Sequence, residues 1–306
     1  MSWVETFTAF LTVERNSSPL TVITYRKALE DFEAYFHTKD EALDWSTLDG
    51  DVVRDWMVEL MEKGEKPASV CKKLSALKTF YKFLLRRKAV AKDPVCALRG
   101  PKKEKTLPVF VREQEMDELL DGDYFTDDLE GQRDRLVLLI LYSTGIRRAE
   151  LYGLNWADVD FSQGIMKVTG KRNKQRVVPF GAELKTSLLA YKQQLEAQQD
   201  ISVGRQPLLI DTKTGQRLSV AKIYQTVHRY LGYVTNLKKR SPHVLRHSFA
   251  TAMLNNEANL QSVKELLGHE RLTTTEIYTH TTFEELKRMY NQAHPRAITK
   301  TEEHGS

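Results

Sequence analysis

Ser241 to Thr251 reads SPHVLRHSFAT. Ser241 is an N-cap residue type and Pro242 suits a first helical position, so a helix begins here. Within it His243 and Arg246 stand three residues apart and share a face, while Leu245 and Phe249 turn toward a core. An imidazole beside a guanidinium, near the positive end of a helix, suits an anion. The same residues equally suit a structural role, with His243 as a second cap and Arg246 in a salt bridge.

Toward the C-terminus, Leu260, Val263, Leu266 and Leu267 form a helical stripe ending at Gly268, the residue type expected just past a helix, so the turn presents His269. Leu272, Thr273, Glu276 and Ile277 then read as a capping box with a hydrophobic staple. A new short helix therefore starts at Thr273 and carries Tyr278 in its second turn. By composition alone, such a tyrosine is a packing residue. Toward the N-terminus, Ser143–Leu151 (STGIRRAEL) joins an apolar helix to another through Thr144 and Gly145 and puts Arg147 at a helix start. Arg147 could equally pair with Glu150, and Arg148 beside it is the obvious decoy. Ala157–Phe161, Ile165–Thr169 and Arg176–Phe180 read as short strands, the last two flanking the polar turn Gly170–Gln175, where Lys171 is by default an exposed lysine.

From Trp3 to about Leu98 the pattern is helical, with breaks at Asn16–Pro19, Asp49–Gly50 and Gly64–Pro67. Val70, Leu74, Leu77, Tyr81 and Leu84 make an apolar stripe, and Lys72, Lys73, Lys78 and Lys82 lie off it. That basic side is either a solvated face or a phosphate-facing one. Arg99–Pro108 (RGPKKEKTLP) has linker chemistry. The expected organisation is a helical domain over 1–98, a linker over 99–108, a second domain over 109–298 and a disordered tail over 299–306. The 306 residues exceed the usual single-domain size.

The 46 Lys and Arg against 41 Asp and Glu leave a charge of +5, which tolerates a polyanionic partner without requiring one. The two cysteines, Cys71 and Cys96, have no metal-site or disulfide-framework spacing and fit a reducing cytoplasm. MSWVETFTAF is not a signal peptide and no apolar run is long enough to span a bilayer, so a soluble, cytoplasmic chain is expected. His243 and His247 have the spacing of a helical zinc pair, but Val244 occupies the place where HExxH has its glutamate, so no metal is expected.

Taken in order, STGIRRAEL, VTGKRNKQRVVPF, SPHVLRHSFAT and LLGHERLTTTEIYTH resemble the tyrosine recombinase (phage integrase) family, nearest to the Xer-type recombinases of chromosome-dimer resolution. The similarity extends from about Phe7 through AHPRA at Ala293–Ala297 and includes KPASVCKKLSALKTFYKFL. It implies a mainly α fold with a small antiparallel β-sheet: a helical core-binding domain and a mixed α/β catalytic domain that clamp DNA from opposite sides. The implied catalytic set is Arg147, Lys171, His243, Arg246 and His269, with Tyr278 as nucleophile. Lys72, Lys73, Lys78, Lys82, Lys102 and Lys103 are the expected DNA contacts. A 3'-phosphotyrosyl ester conserves the bond that was cut, so the resemblance implies no cofactor, no metal and no small-molecule substrate.

Its implied partners are a duplex recombination site, a homo- or heterotetramer of protomers and, as an open question, a DNA translocase. The stripe Phe283, Leu286, Met289 and Tyr290 is expected to dock on a neighbouring protomer, the alternative being its own chain. No arm-binding domain is read ahead of Trp3. The rival readings are a mobile-element integrase or transposase, a relaxing topoisomerase, and an architectural DNA-binding protein without catalysis.

Overall fold

The computed structural model describes residues 2–102, 108–170, 173–199, 206–268 and 280–297. The chain divides into two compact units, Met1–Leu107 and Pro108–Ser306.

The first unit holds α1 (Trp3–Val13), α2 (Pro19–Lys39), α3 (Gly50–Glu62) and α4 (Pro67–Arg86). Local chemistry sets their starts. Ser2, Ser18 and Asp49 accept otherwise unpartnered backbone N–H groups, while Pro19 and Pro67 occupy first helical positions. The core is aromatic, with Phe7, Phe32, Phe36, Trp56 and Phe80 buried together. Burying one such side chain contributes about 1.5–3 kcal/mol. Trp45 enters this core from the loop between α2 and α3, its ring nitrogen donating to Glu33 and its carbonyl accepting from the Tyr81 hydroxyl. The helical pattern expected as far as Leu98 stops earlier, because α4 ends at Arg86, and Val90, Val95 and Leu98 are buried from non-helical chain. Pro94, which has no N–H to give a helix, lies within that stretch.

The second unit runs α5 (Glu113–Asp121), α6 (Leu129–Thr144), α7 (Arg148–Gly153), a three-stranded sheet, α8 (Ala182–Gln199), α9 (Val220–Val234), α10 (Pro242–Asn255), α11 (Leu260–Leu267) and α12 (His280–Ala293). Leu136 to Tyr142 of α6 are buried without exception, so α6 is the central helix, with α8, α9 and α10 against it. The sheet is antiparallel in the order β1 (Val159–Asp160), β2 (Ile165–Thr169), β3 (Gln175–Pro179). Met166 pairs with Val178, and Val168 with Arg176. Alternation thus turns Met166, Val168 and Val178 into the core and puts Arg176 on that same inward side. The first strand is shorter than its pattern implied, since Trp156–Asp158 forms a 3-10 turn. α8 has no counterpart in the sequence reading.

Candidate active site

α6 ends at Gly145, whose φ of 60° is left-handed. A Cβ there would lie 2.5 Å from the Phe249 ring and 2.9 Å from Leu267, so only glycine lets α10 and α11 approach this turn. Two residues on, Arg147 occupies the N-cap position of α7. Its backbone N–H donates to Glu150 Oε2 at 2.7 Å, its Nη1 to Glu150 Oε1 at 2.8 Å and its Nη2 to the carbonyl of Gly268 at 3.2 Å. The pairing with Glu150 leaves the Arg147 side chain 34% exposed, so it does not close this guanidinium off from a ligand.

Arg246 projects from α10 and is buried. It donates through Nη1 to the carbonyl of Gly145 at 2.6 Å and through Nη2 to that of Leu267. Arg176 on β3 donates through Nε to the carbonyl of Leu266 at 3.0 Å and grips both Glu150 oxygens, at 2.7 and 2.9 Å. Three successive carbonyls at the end of α11 thus each accept from a different arginine. These carbonyls lack helical partners and carry the negative end of the helix dipole, which makes them natural acceptors for cations. Gly268, with φ 64°, turns the chain away just after them.

Among the described residues the cluster has three guanidiniums and one carboxylate. Burial pushes the Glu150 carboxyl up, but hydrogen bonds and charge from Arg176, with Arg147, hold it below the ordinary carboxylate range. Burial and the neighbouring charges of Arg147 and Arg176 push Arg246 down to about 10 despite Glu150. Arg246 stays protonated at pH 7, in surplus positive charge that an anion would relieve. Guanidinium forks gathered in this way can hold an anion such as a phosphate.

The phage integrase family matches residues 110–285, and its N-terminal SAM-like domain matches residues 4–88. The chain belongs to the phage integrase family. It is 37% identical to the tyrosine recombinase XerC of Pelotomaculum thermopropionicum over 96% of this chain and 98% of that one. It is 34% identical to XerC of Bacillus subtilis, covering 98% of each, and 34% identical to XerD of Staphylococcus epidermidis, covering 96% and 99%. This chain is thus an Xer-type tyrosine recombinase. Its fold is similar to that of the XerH site-specific recombinase bound to difH substrate, with a TM-score of 0.70 at 23% identity, covering 90% of this chain and 81% of that one. The Tn1549 transposon integrase bound to transposon right-end DNA gives a TM-score of 0.70 at 18% identity, covering 94% and 98%.

Of the residues expected in this recombinase's catalytic set, Arg147 and Arg246 come together at the adjacent carbonyls of Leu267 and Gly268. His243 lies one turn before Arg246 on α10 and is exposed. Burial, then the charges of Arg246, Lys239, His247 and Arg148, lower its pKa below 6.5, so it is neutral at pH 7 and able to accept a proton. Lys171, His269 and Tyr278 lie outside the described residues, as do Lys103 and the tail over 299–306. Arg148 lies over the Tyr224 ring, 5.9 Å from its centroid, apart from the carbonyl cluster. Ser241 occupies the N-cap position of α10 but makes no side-chain cap, and its buried Oγ has no partner among the described residues.

The lysines of α4 separate. Lys73 is committed to Glu65 at 2.7 Å and Asp31 at 3.2 Å, and Lys78 donates to the carbonyls of Cys96 and Leu98. Both thus have partners within this chain that hold them along the protein. Lys72, Lys82 and Lys102 are exposed. In the α12 stripe, Leu286 and Tyr290 are buried in this chain's own cluster with Phe249, Met253 and Leu266, and Met289 is partly buried against it, which is the alternative of packing within the chain for these residues. The side chain of Phe283 lies outside the described residues.

Sequence reasoning missed Arg176. Its signal was present: Arg176, Val178 and Phe180 alternate, so an arginine stands at an inward strand position, where a charge must be paired. His294 and Arg296 of AHPRA were also missed. Arg296 is buried and binds Asp117, Asp121 and Glu183 at 2.8–2.9 Å, which anchors the chain beyond α12 to α5 and α8.

Proposed function

We propose that this recombinase cleaves and rejoins a duplex DNA site through a covalent bond between Tyr278 and a 3'-phosphate. The observation that carries the reading is the convergence of Arg147 and Arg246, far apart in sequence, on adjacent carbonyls with Arg147 still open to solvent. Their free N–H donors suit the two non-bridging oxygens of a phosphodiester, whose charge grows from one to two as a fifth oxygen bonds to phosphorus. Preorganised donors of this kind contribute about 3–4 kcal/mol each to stabilising such a transition state.

The Tyr278 oxygen forms the new P–O bond as the bond from phosphorus to the 5' oxygen breaks. Neutral His243 takes up the phenolic proton, His269 adds a donor to the phosphate, and the Lys171 ammonium protonates the departing 5' oxygen. The phosphotyrosyl ester then yields to a 5' hydroxyl of the partner duplex by the reverse of these steps, which distinguishes rejoining from hydrolysis. Two duplexes cut at paired sites call for four protomers, alike or of two kinds. The role we assign is chromosome-dimer resolution in the cytoplasm, a reading that rests on likeness to recombinases named XerC and XerD, and in the helical unit Lys72, Lys82 and Lys102 supply backbone contacts. Among the described residues no helix is long and apolar enough to cross a membrane.

The test is covalent trapping. Sequencing DNA trapped on the protein in its own cell identifies the site, and a nicked suicide duplex carrying that site should give a denaturant-resistant adduct. Tyr278→Phe should bind the duplex and give none. An adduct surviving that change overturns the nucleophile assignment, and trapped junctions of a mobile element overturn the chromosomal role.

A further inference from the structure

Arg176 differs from the two arginines proposed to hold phosphate. Its side chain is only 11% exposed, against 34% for Arg147, and three of its five N–H donors are engaged by Glu150 and Leu266. Glu150 in turn receives both the backbone N–H and the guanidinium of Arg147. Arg176 therefore ties three pieces of chain that meet nowhere in sequence: the strand that follows the Lys171 turn, the start of α7 with Arg147, and the end of α11, from which the chain continues toward Tyr278. A planar fork is needed for this task, since an ammonium cannot span both carboxylate oxygens while reaching the Leu266 carbonyl.

We infer that Arg176 is a positioning residue for strand exchange, holding Glu150, and through it Arg147, in fixed register with the end of α11. The inference rests on the phosphate-binding role proposed for Arg147. When a scissile phosphate draws donors of Arg147 and Arg246 away from the Gly268 and Leu267 carbonyls, the bonds of Arg176 remain and keep the end of α11 in place. Arg176 itself touches no substrate.

Single-turnover cleavage of the suicide duplex by the full-length protein tests this, with DNA affinity and melting temperature measured on the same variants. Arg176→Ala should bind DNA as the wild type does and cleave about 100-fold more slowly, the scale of loss when a reacting group is misplaced by about 1 Å. Arg176→Lys should not restore the rate. The double variant Arg176→Ala with Glu150→Gln should be no slower than the slower single variant, because both changes break one path to Arg147. A merely structural role predicts instead that the rate falls only in step with affinity and with the folded fraction at the assay temperature, and that the losses add; that result, or wild-type cleavage by Arg176→Ala, overturns the assignment. If Arg176→Ala does not fold, Arg176→Lys keeps the charge in place and carries the test, and a wild-type rate there overturns it. Wild-type protein and Tyr278→Phe are run alongside. Failure of the wild type to form an adduct sinks the strand-transfer mechanism, whereas full activity of the Arg176 variants beside a working wild type sinks this inference alone.

Discussion

Arg246 donates to the carbonyl oxygen of Gly145 at 2.6 Å, across 101 residues of sequence. That bond fixes where Arg147 begins, because only Ile146 separates Arg147 from the anchored carbonyl. The other arm of Arg246 reaches Leu267, next to the Gly268 carbonyl that Arg147 binds. One buried side chain thus sets the distance between two arginines, itself and Arg147, that local sequence leaves independent.

Arg246→Lys should keep a positive charge in the cluster while losing the fork. We expect DNA binding to survive and single-turnover cleavage to fall by about 100- to 1,000-fold, the loss typical when one preorganised donor is removed from a developing charge. A fall of less than about tenfold would contradict a direct role at the phosphate.

Glu150 is a buried carboxylate shared by two guanidiniums. Glu150→Ala leaves those charges facing each other and should destabilise the second unit by about 3 kcal/mol, the lower end of the range for breaking a buried pair because Arg147 is partly solvated. The folded carboxyl titrates below the ordinary carboxylate value, so its contribution is present above that value and fades as pH falls through it. Denaturant titrations of wild type and variant at neutral and acidic pH should converge on the acid side; a constant gap would contradict the pairing.

His294 offers a second pH prediction. Arg296 N–H donates to its Nδ1 at 3.1 Å, so Nε2 carries the hydrogen and donates to the Tyr142 carbonyl at 3.2 Å. The ring stacks between Phe249 and Tyr290. Burial, reinforced by the Arg296 charge, pushes its pKa down to about 3, although the Tyr142 carbonyl opposes the shift. The unfolded chain takes up this proton near the ordinary histidine value and the folded chain does not, so stability is complete above that value and is lost as pH falls toward 3. Compared with His294→Gln, the wild type should lose about 1.4 kcal/mol more per pH unit between about pH 6 and pH 4. Parallel curves would mean that the ring is not held neutral.

The α4 lysines should behave as two classes. Lys72→Ala and Lys82→Ala are expected to lower the salt dependence of DNA binding by about one unit of slope each and to leave melting unchanged. Lys73→Ala should instead lower melting temperature, because Asp31 and Glu65 lose their shared cation. A melting temperature unchanged by Lys73→Ala, with a reduced salt slope, would return that residue to the DNA surface.

The reach of sequence reasoning follows the range of the forces involved. Helix starts at Pro19 and Pro67, the ends at Gly145 and Gly268, and the β2–β3 pair were legible because capping, left-handed turns and alternation are set by neighbours a few residues away. Catalytic candidates such as Arg147 and Arg246 were legible by resemblance, since each motif read alone also fits a salt bridge or a cap. The internal partners of Lys73 and Lys78 were not legible, because a lysine off an apolar stripe looks the same whether it faces solvent, a carboxylate of another helix or a carbonyl of a following turn. By itself, then, the sequence determined where several helices begin or end, which residues face inward in the β2–β3 pair, and which family the chain resembles. Only the tertiary structure decided that Arg147, Arg176 and Arg246 meet at three consecutive carbonyls, because that meeting depends on packing α6, α7, β3, α10 and α11 around one buried carboxylate, and no short-range preference encodes it.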